Sequence, residues 1–154
     1  MIAVRPFSLA DAAPCRAVFY EAVHQGAAKR YSKEQRAAWA PSPDVPPLWG
    51  DRLADQITFV GESDDGIEGF FTLNHDGHLD LAFVRPRNMG SGLAGRLYDA
   101  CFASPHASGL SRAYTEASHL ARPFFQRRGW SVICEQEVER FGTLITNFQM
   151  ETTL

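Results

Sequence analysis

Two stretches of the chain carry residue types that could do chemistry. The first, VRPRNMGSGLAGRLY over 84–98, contains Gly90, Ser91, Gly92, Leu93, Ala94 and Gly95, a literal G-x-G-x-x-G string at the entry to an apolar-periodic segment. Backbone N–H groups at such a turn face the positive end of the helix dipole, and glycine lets an anion approach them without a Cβ in the way. The string therefore predicts a phosphate-binding turn, whoever owns the phosphate. The second stretch, HDGHLD over 75–80, brings His75, Asp76, His78 and Asp80 close together. A turn could converge them on a metal, but no matching His/Cys/Asp cluster exists elsewhere, so no metal is expected. Strand alternation after Asp76-Gly77 predicts His78, Asp80 and Ala82 on one face and Leu79, Leu81 and Phe83 on an apolar core face. The polar pair suits proton acceptance: Asp80 is the deeper and ranks first, while His78 has the better intrinsic pKa. A solvated strand face is the bland alternative for both.

The elements that must position these residues are legible as a series. IAVRPF (2–7) reads as a first strand, and Ser8 with Asp11 as an S-x-x-D capping box. Cys15, Val18, Phe19, Ala22 and Val23 then recur with the spacing of a helix that buries one face. A second helix covers 32–40 with Ser32 as its cap, and the prolines of 41–50 make a stiff surface loop. Strands over 56–62, 67–74 and 78–84 are joined by turns at Asp64-Asp65-Gly66 and Asp76-Gly77, which predicts an antiparallel meander. Leu93, Leu97, Ala100 and Cys101 share the buried face of the helix that the glycines open. A strand over 110–117, a helix over 120–128 with Pro123 in its first turn, and two last strands close the chain. The order β-α-α-β-β-β-α-β-α-β-β predicts an α/β protein of the α+β kind, with one mixed sheet, and a single domain over 1–154.

A dinucleotide-binding oxidoreductase fits this order poorly. Its first strand would run almost directly into the first glycine, whereas the polar RPRNM intervenes here. The preceding strands are hairpin-linked, and no second mononucleotide half follows. Glu116, near the end of the next strand, is the one residue placed where a ribose-binding acid would sit.

The motifs resemble those of the GNAT superfamily, the acyl-CoA-dependent N-acyltransferases. Val84-Arg85-Pro86 matches the V-x-P strand end, and Met89-Gly90-Ser91-Gly92-Leu93-Ala94 aligns with Q/R-x-x-G-x-G/A. Ala121, Phe124, Phe125, Gly129 and Trp130 match a second segment, A-x-x-F-Y-x-x-x-G-F, and the opening VRPFSLADA resembles the usual entry. The resemblance implies acetyl-CoA as co-substrate, held by Phe83, Val84, the backbone of residues 89–94 and Phe125, with the pantetheine arm between strands 78–84 and 110–117, which splay apart in this fold. It implies direct attack by a primary amine in a ternary complex, with Asp80 or His78 as base. Two positions depart from the pattern. Met89 replaces a Gln or Arg, and Phe125 stands where many members carry a tyrosine that protonates the leaving thiolate. Ser118, Tyr114 or water could substitute. Ser118 ranks first because it precedes the helix bearing Phe125, where it could equally be an N-cap. Tyr31, Trp39, Tyr114 and Glu116, with Trp49, would form an aromatic-and-acid pocket for a cationic amine. Arg85, Arg87 and Arg96 lie near the glycines and could meet CoA phosphates. The missing tyrosine also leaves room for a catalytically silent acyl-CoA-binding sensor.

Composition sets the outer limits. A chain of 154 residues with net charge −3 has no concentrated basic face for nucleic acid. No apolar run reaches the ~18 residues of a membrane span, and no secretory leader is recognisable, so a cytoplasmic protein with no membrane partner is expected. Cys15, Cys101 and Cys134 are scattered, and the first two fall on apolar helix faces. The resemblance leaves the amine small-molecule or protein-borne, and admits a homodimer.

Overall fold

The computed structural model describes residues 1–154. Strands β1 (Ala3–Pro6), β2 (Ile57–Ser63), β3 (Gly66–Leu73) and β4 (Leu79–Val84) form an antiparallel sheet in that order. Strands β5 (Arg112–Ala117), β7 (Thr143–Thr153) and β6 (Ser131–Arg140) form a second antiparallel sheet, with β7 in the middle. Helices α1 (Ala12–Glu21), α2 (Lys33–Trp39), α4 (Leu93–Ala103) and α5 (Ala121–Arg127) fall where the sequence pattern puts them. Ser32 caps α2 by accepting the Gln35 N–H, 3.1 Å, while Gln35 returns a bond to the Ser32 amide.

Three expectations are corrected. The single mixed sheet is two sheets, because β4 and β5 touch only at one parallel bridge, His78 to Tyr114. Beyond it Leu79 C=O is met by the Thr115 hydroxyl, 2.7 Å, rather than by a ladder amide, and the strands diverge. The clean alternation of β4 also fails. Thr72 pairs with Leu81 and Leu73 with Leu79, so Asp80 is an extra residue in a β-bulge. Leu79 therefore joins the core under α4, whereas Leu81 and Phe83 pack on the α1 side with Asp80 beside them. Finally, the proline-rich loop ends early. A helix α3 (Trp49–Ala54) starts at its last residues, burying Trp49 and Leu53 one turn apart.

Strand β3 is buried almost throughout, with α4 on one face and α1 and α3 on the other. Paired glycines, Gly61 on β2 and Gly69 on β3, leave a notch for Leu93: a Cβ on Gly61 would stand 2.7 Å from the Leu93 Cδ1. That notch lowers the first turn of α4 onto the sheet. On the opposite face Phe70 is fully buried, with ring centroids 6.2 Å from Trp49 and 6.0 Å from Phe83. Phe70→Ala is expected to destabilise the fold by about 3–5 kcal/mol, the transfer loss plus an unfilled cavity, measured by denaturant unfolding.

Candidate active site

The glycine turn is built to offer amides. Gly90 and Gly92 both adopt left-handed backbone, φ 79° and 90°, which an L side chain resists. A Cβ on either would meet no atom within 4 Å, so the space in front of them is open. The N–H groups of Gly90, Gly92, Ala94 and Gly95 donate to no acceptor in the chain. Those of Met89 and Ser91 are already bonded, to Pro86 C=O at 3.1 Å and Asn88 C=O at 3.1 Å. Leu93 N–H leans on the Ser91 Oγ, 3.4 Å, and its side chain is core. The cradle is thus narrower at its start than the motif suggests, and one residue longer at its end. Gly95 has a second use: its missing Cβ makes room for the Arg128 guanidinium, which a Cβ would approach to 2.6 Å.

Arginine placement also differs from expectation. Arg87 is bonded to the buried Glu68 carboxylate, and Arg85 to Glu21. Asn88 Nδ2 donates to the same Glu68, 2.6 Å, so this acid anchors the approach to the glycine turn against β3. Hydrogen bonds from Arg87 first hold the Glu68 carboxyl below its usual range. Of the three expected arginines only Arg96 lines the groove beside the turn, where Arg127 and Arg128 join it. Arg128 is bonded to Asp99, 2.7 Å, and lies over the Tyr98 ring; Arg96 Nη1 donates to Ile2 C=O, 2.7 Å; Arg127 pairs with no carboxylate.

From the groove an apolar cavity continues between β4 and α5, beside the splay of β4 from β5. Phe83, Val84, Met89, Ala94, Phe124 and Phe125 line it. A π-helical turn at Ala22–Gly26 continues α1, and its Ala22 and Gly26, with Ala27, form the small-residue wall opposite. Phe125 is buried and packs on Trp130 at a centroid distance of 4.8 Å. Trp39, Phe83 and Ser118 line both this cavity and a second one on the helix side of the sheets. Ser118 therefore stands at the junction of the two. Its Oγ accepts the Ala121 N–H, 3.1 Å, the cap-like bond weighed from the sequence, and its own proton is not donated within the chain.

The second cavity gathers Tyr31, Trp39, Trp49, Asp80 and Glu116, which the sequence names, and adds Arg16, Arg52, Arg140 and Asn147, which it does not. Asp80 is not a free carboxylate. Arg52 Nε and Nη2 donate to its two oxygens, both at 2.8 Å, and Gln56 Nε2 donates at 2.9 Å. Burial pushes its carboxyl up, but the bonds from Arg52 and Gln56 outweigh burial and hold it low. Glu116 Oε1 receives the His78 Nε2, 2.8 Å, so the two share a proton line. That hydrogen bond, ahead of burial, raises the His78 pKa above its ordinary 6.5. Tyr114 lies outside the cavity: its hydroxyl donates to Asp76, 2.6 Å, and its ring stacks on His78 at 4.8 Å. The four side chains of HDGHLD do not converge on one point: His75 faces His106, Asp76 meets the Tyr114 hydroxyl, His78 bonds Glu116 and Asp80 bonds Arg52.

The sequence and the fold match a known group of proteins. Residues 27–152 match the family model described as Acetyltransferase (GNAT) domain. The chain belongs to this GNAT acetyltransferase family. It is 31% identical over 150 residues to a protein of Escherichia coli (strain K12) named "Uncharacterized N-acetyltransferase YafP", covering 97% of this chain and 94% of that one. The crystal structure of a GCN5-related N-acetyltransferase from Rhodopseudomonas palustris superposes with TM-score 0.90 at 31% identity, covering 99% of this chain and 95% of that chain. The PaiA N-acetyltransferase of Thermoplasma acidophilum, determined in complex with coenzyme A, shares the fold at TM-score 0.78 and 17% identity, covering 100% of this chain and 99% of that chain.

The arginines of the second cavity carried a faint sequence signal. Trp49 with Leu53, and Arg52 with Gln56, stand at i and i+4 in a run free of proline, which is helical spacing. Nothing local marks Arg16, Arg140 or Asn147, because they meet only when α1 and the β6–β7 hairpin come together.

Proposed function

We propose that this chain, acting as a single domain, transfers an acetyl group from acetyl-CoA to a primary amine by direct attack. The observation that carries the reading is the continuity of three features: free amides at Gly90, Gly92, Ala94 and Gly95, an apolar slot beside the splay, and a polar cavity beyond Trp39, Phe83 and Ser118. The amides and Arg127 receive the pyrophosphate, since an 11-residue helix points its positive end there. Phe83, Val84 and Phe125 wall the pantetheine slot. Acetyl-CoA supplies an acetyl group already activated as a thioester.

The amine enters as ammonium, with a pKa near about 10.4, and must lose a proton to become nucleophilic. Glu116 faces the cavity and His78 stands behind it, so the proton passes to this pair, directly or through one water. Asp80 ranks first on the sequence, yet its oxygens are filled by Arg52 and Gln56; its role is to hold Arg52. The amine nitrogen bonds to the acetyl carbon as the carbon–sulfur bond breaks, and the surplus proton left on that nitrogen passes to water, giving the neutral amide. The thiolate then takes a proton from Ser118 or from solvent, because Phe125 has none to give.

Thiol release from acetyl-CoA in the presence of primary amines tests the reading. Acceptor-dependent release is expected, and Ser118→Ala is expected to slow it by about tenfold, less than the usual ~10²–10⁴-fold of a general acid because solvent also protonates the thiolate. A silent acyl-CoA-binding module, which Phe125 favours, would bind acetyl-CoA and release no thiol with any amine.

A further inference from the structure

The cavity that receives the amine has the wrong charge balance for a purely cationic acceptor. Three guanidiniums, Arg16, Arg52 and Arg140, line it against two carboxylates, Asp80 and Glu116. Both carboxylates are already held, by Arg52 and by His78. Arg16 and Arg140 form no ion pair.

Arg16 is the more telling of the two. Its guanidinium lies over the Phe19 ring at 4.8 Å and the Trp49 ring at 5.1 Å, which fixes the plane of the group. One Nη donates to Ser42 C=O, 3.2 Å, while the buried Nε has no partner at all. The group is half-buried, has no counter-ion, and its second Nη is bonded to nothing in the chain, so it can receive an anion from the cavity. Burial, and then repulsion from Arg52, lowers its pKa, which is the expected mark of a cation lacking its anion. On the other side of the cavity Asn147 presents a buried amide oxygen that also lacks a partner. A guanidinium without a counter-ion, in one cavity with the carboxylate of Glu116, fits a ligand carrying charges of both signs.

Resting on the acetyltransferase reading, we propose that the acceptor is a primary amine that itself carries a carboxylate, an amino acid, with Arg16 receiving the carboxylate. The planar fork of arginine matches a carboxylate geometrically, and a lysine would not reproduce that match. The amine end of the ligand then lies toward Glu116 and Asn147, and the aromatic rings of Tyr31, Trp39 and Trp49 wall the space between.

The test compares kcat/KM, per unprotonated amine, for free L-amino acids with that for their carboxamides, which lack the anionic charge and carry a less basic amine, and with simple alkylamines. The wild-type enzyme is expected to prefer acids over amides by at least about thirtyfold, since one charge-assisted bond in a desolvated site is at stake. Arg16→Gln is expected to bring that ratio towards one, chiefly through KM of the acid, while Arg16→Lys retains part of the preference. Amides or alkylamines used as well as the acids would overturn the proposal and leave the acetyltransferase reading standing. An acid preference that survives in Arg16→Gln would overturn the assignment to Arg16. Acetyl-CoA binding without thiol release on any amine of the panel would overturn both readings. The wild-type comparison needs no variant to fold.

Discussion

Gly92→Glu is expected to weaken acetyl-CoA binding by at least about a hundredfold, roughly 2.7 kcal/mol, in isothermal titration. Two effects act together. The glutamate side chain projects into the open space before the free amides of Gly90, Gly92, Ala94 and Gly95, and its charge opposes the pyrophosphate at the positive end of α4. The left-handed backbone, φ 90°, adds a strain of about 1–2 kcal/mol, so the melting temperature falls by several degrees without loss of the fold. Since the added Cβ meets no atom within 4 Å, collapse of the protein is not expected. Unchanged affinity for acetyl-CoA would show that the turn does not hold the phosphates.

The second large effect concerns the proton. Glu116→Gln is expected to lower kcat by about a hundredfold or more, with the affinity for acetyl-CoA unchanged, because general-base contributions run about 10²–10⁴-fold. Glu116 is exposed, so the variant keeps its fold. The pH profile gives the sign. In the proposed reaction neutral His78 is the form that accepts the proton, and the hydrogen bond to Glu116 raises its pKa above 6.5. Activity should therefore be full above that raised value and fall as the pH drops through it. Removing the Glu116 charge withdraws the support, so the acid limb of kcat/KM should shift to lower pH in Glu116→Gln. In His78→Gln the limb should vanish. A profile that is flat in the wild type, or identical in all three proteins, would move the base elsewhere.

Pairing His78 with Glu116 shows how far residue types alone could go. Strand alternation selects His78 and Asp80 as the polar pair, whereas Glu116 enters only through its distance from the glycines and as the acid of the acceptor pocket. The bulge at Asp80 changes which face that residue serves, and Arg52, on a helix masked by the preceding prolines, fills its carboxylate. A bulge depends on how β3 and β4 register against each other, which no local pattern encodes. Pairing of Glu116 with His78 follows from the single bridge between β4 and β5 that also defines the splay.

Residues whose behaviour is local were the ones the sequence determined. Turn glycines need their backbone angles whatever surrounds them, Ser32 caps the helix that begins beside it, and apolar periodicity places Val18, Phe19, Leu93 and Leu97 in the core. These set the element order, the glycine turn and the family. Charge partners were decided only by the tertiary structure. Arg85 and Arg87 lie near the glycines in sequence but face Glu21 and Glu68, whereas Arg127 and Arg128, some thirty residues on, reach the groove. Long flexible cations reach across elements, so their partners depend on where the sheets and helices stop. Burial that orphans Arg16 is likewise a property of α1, α3 and the loop at Ser42 taken together.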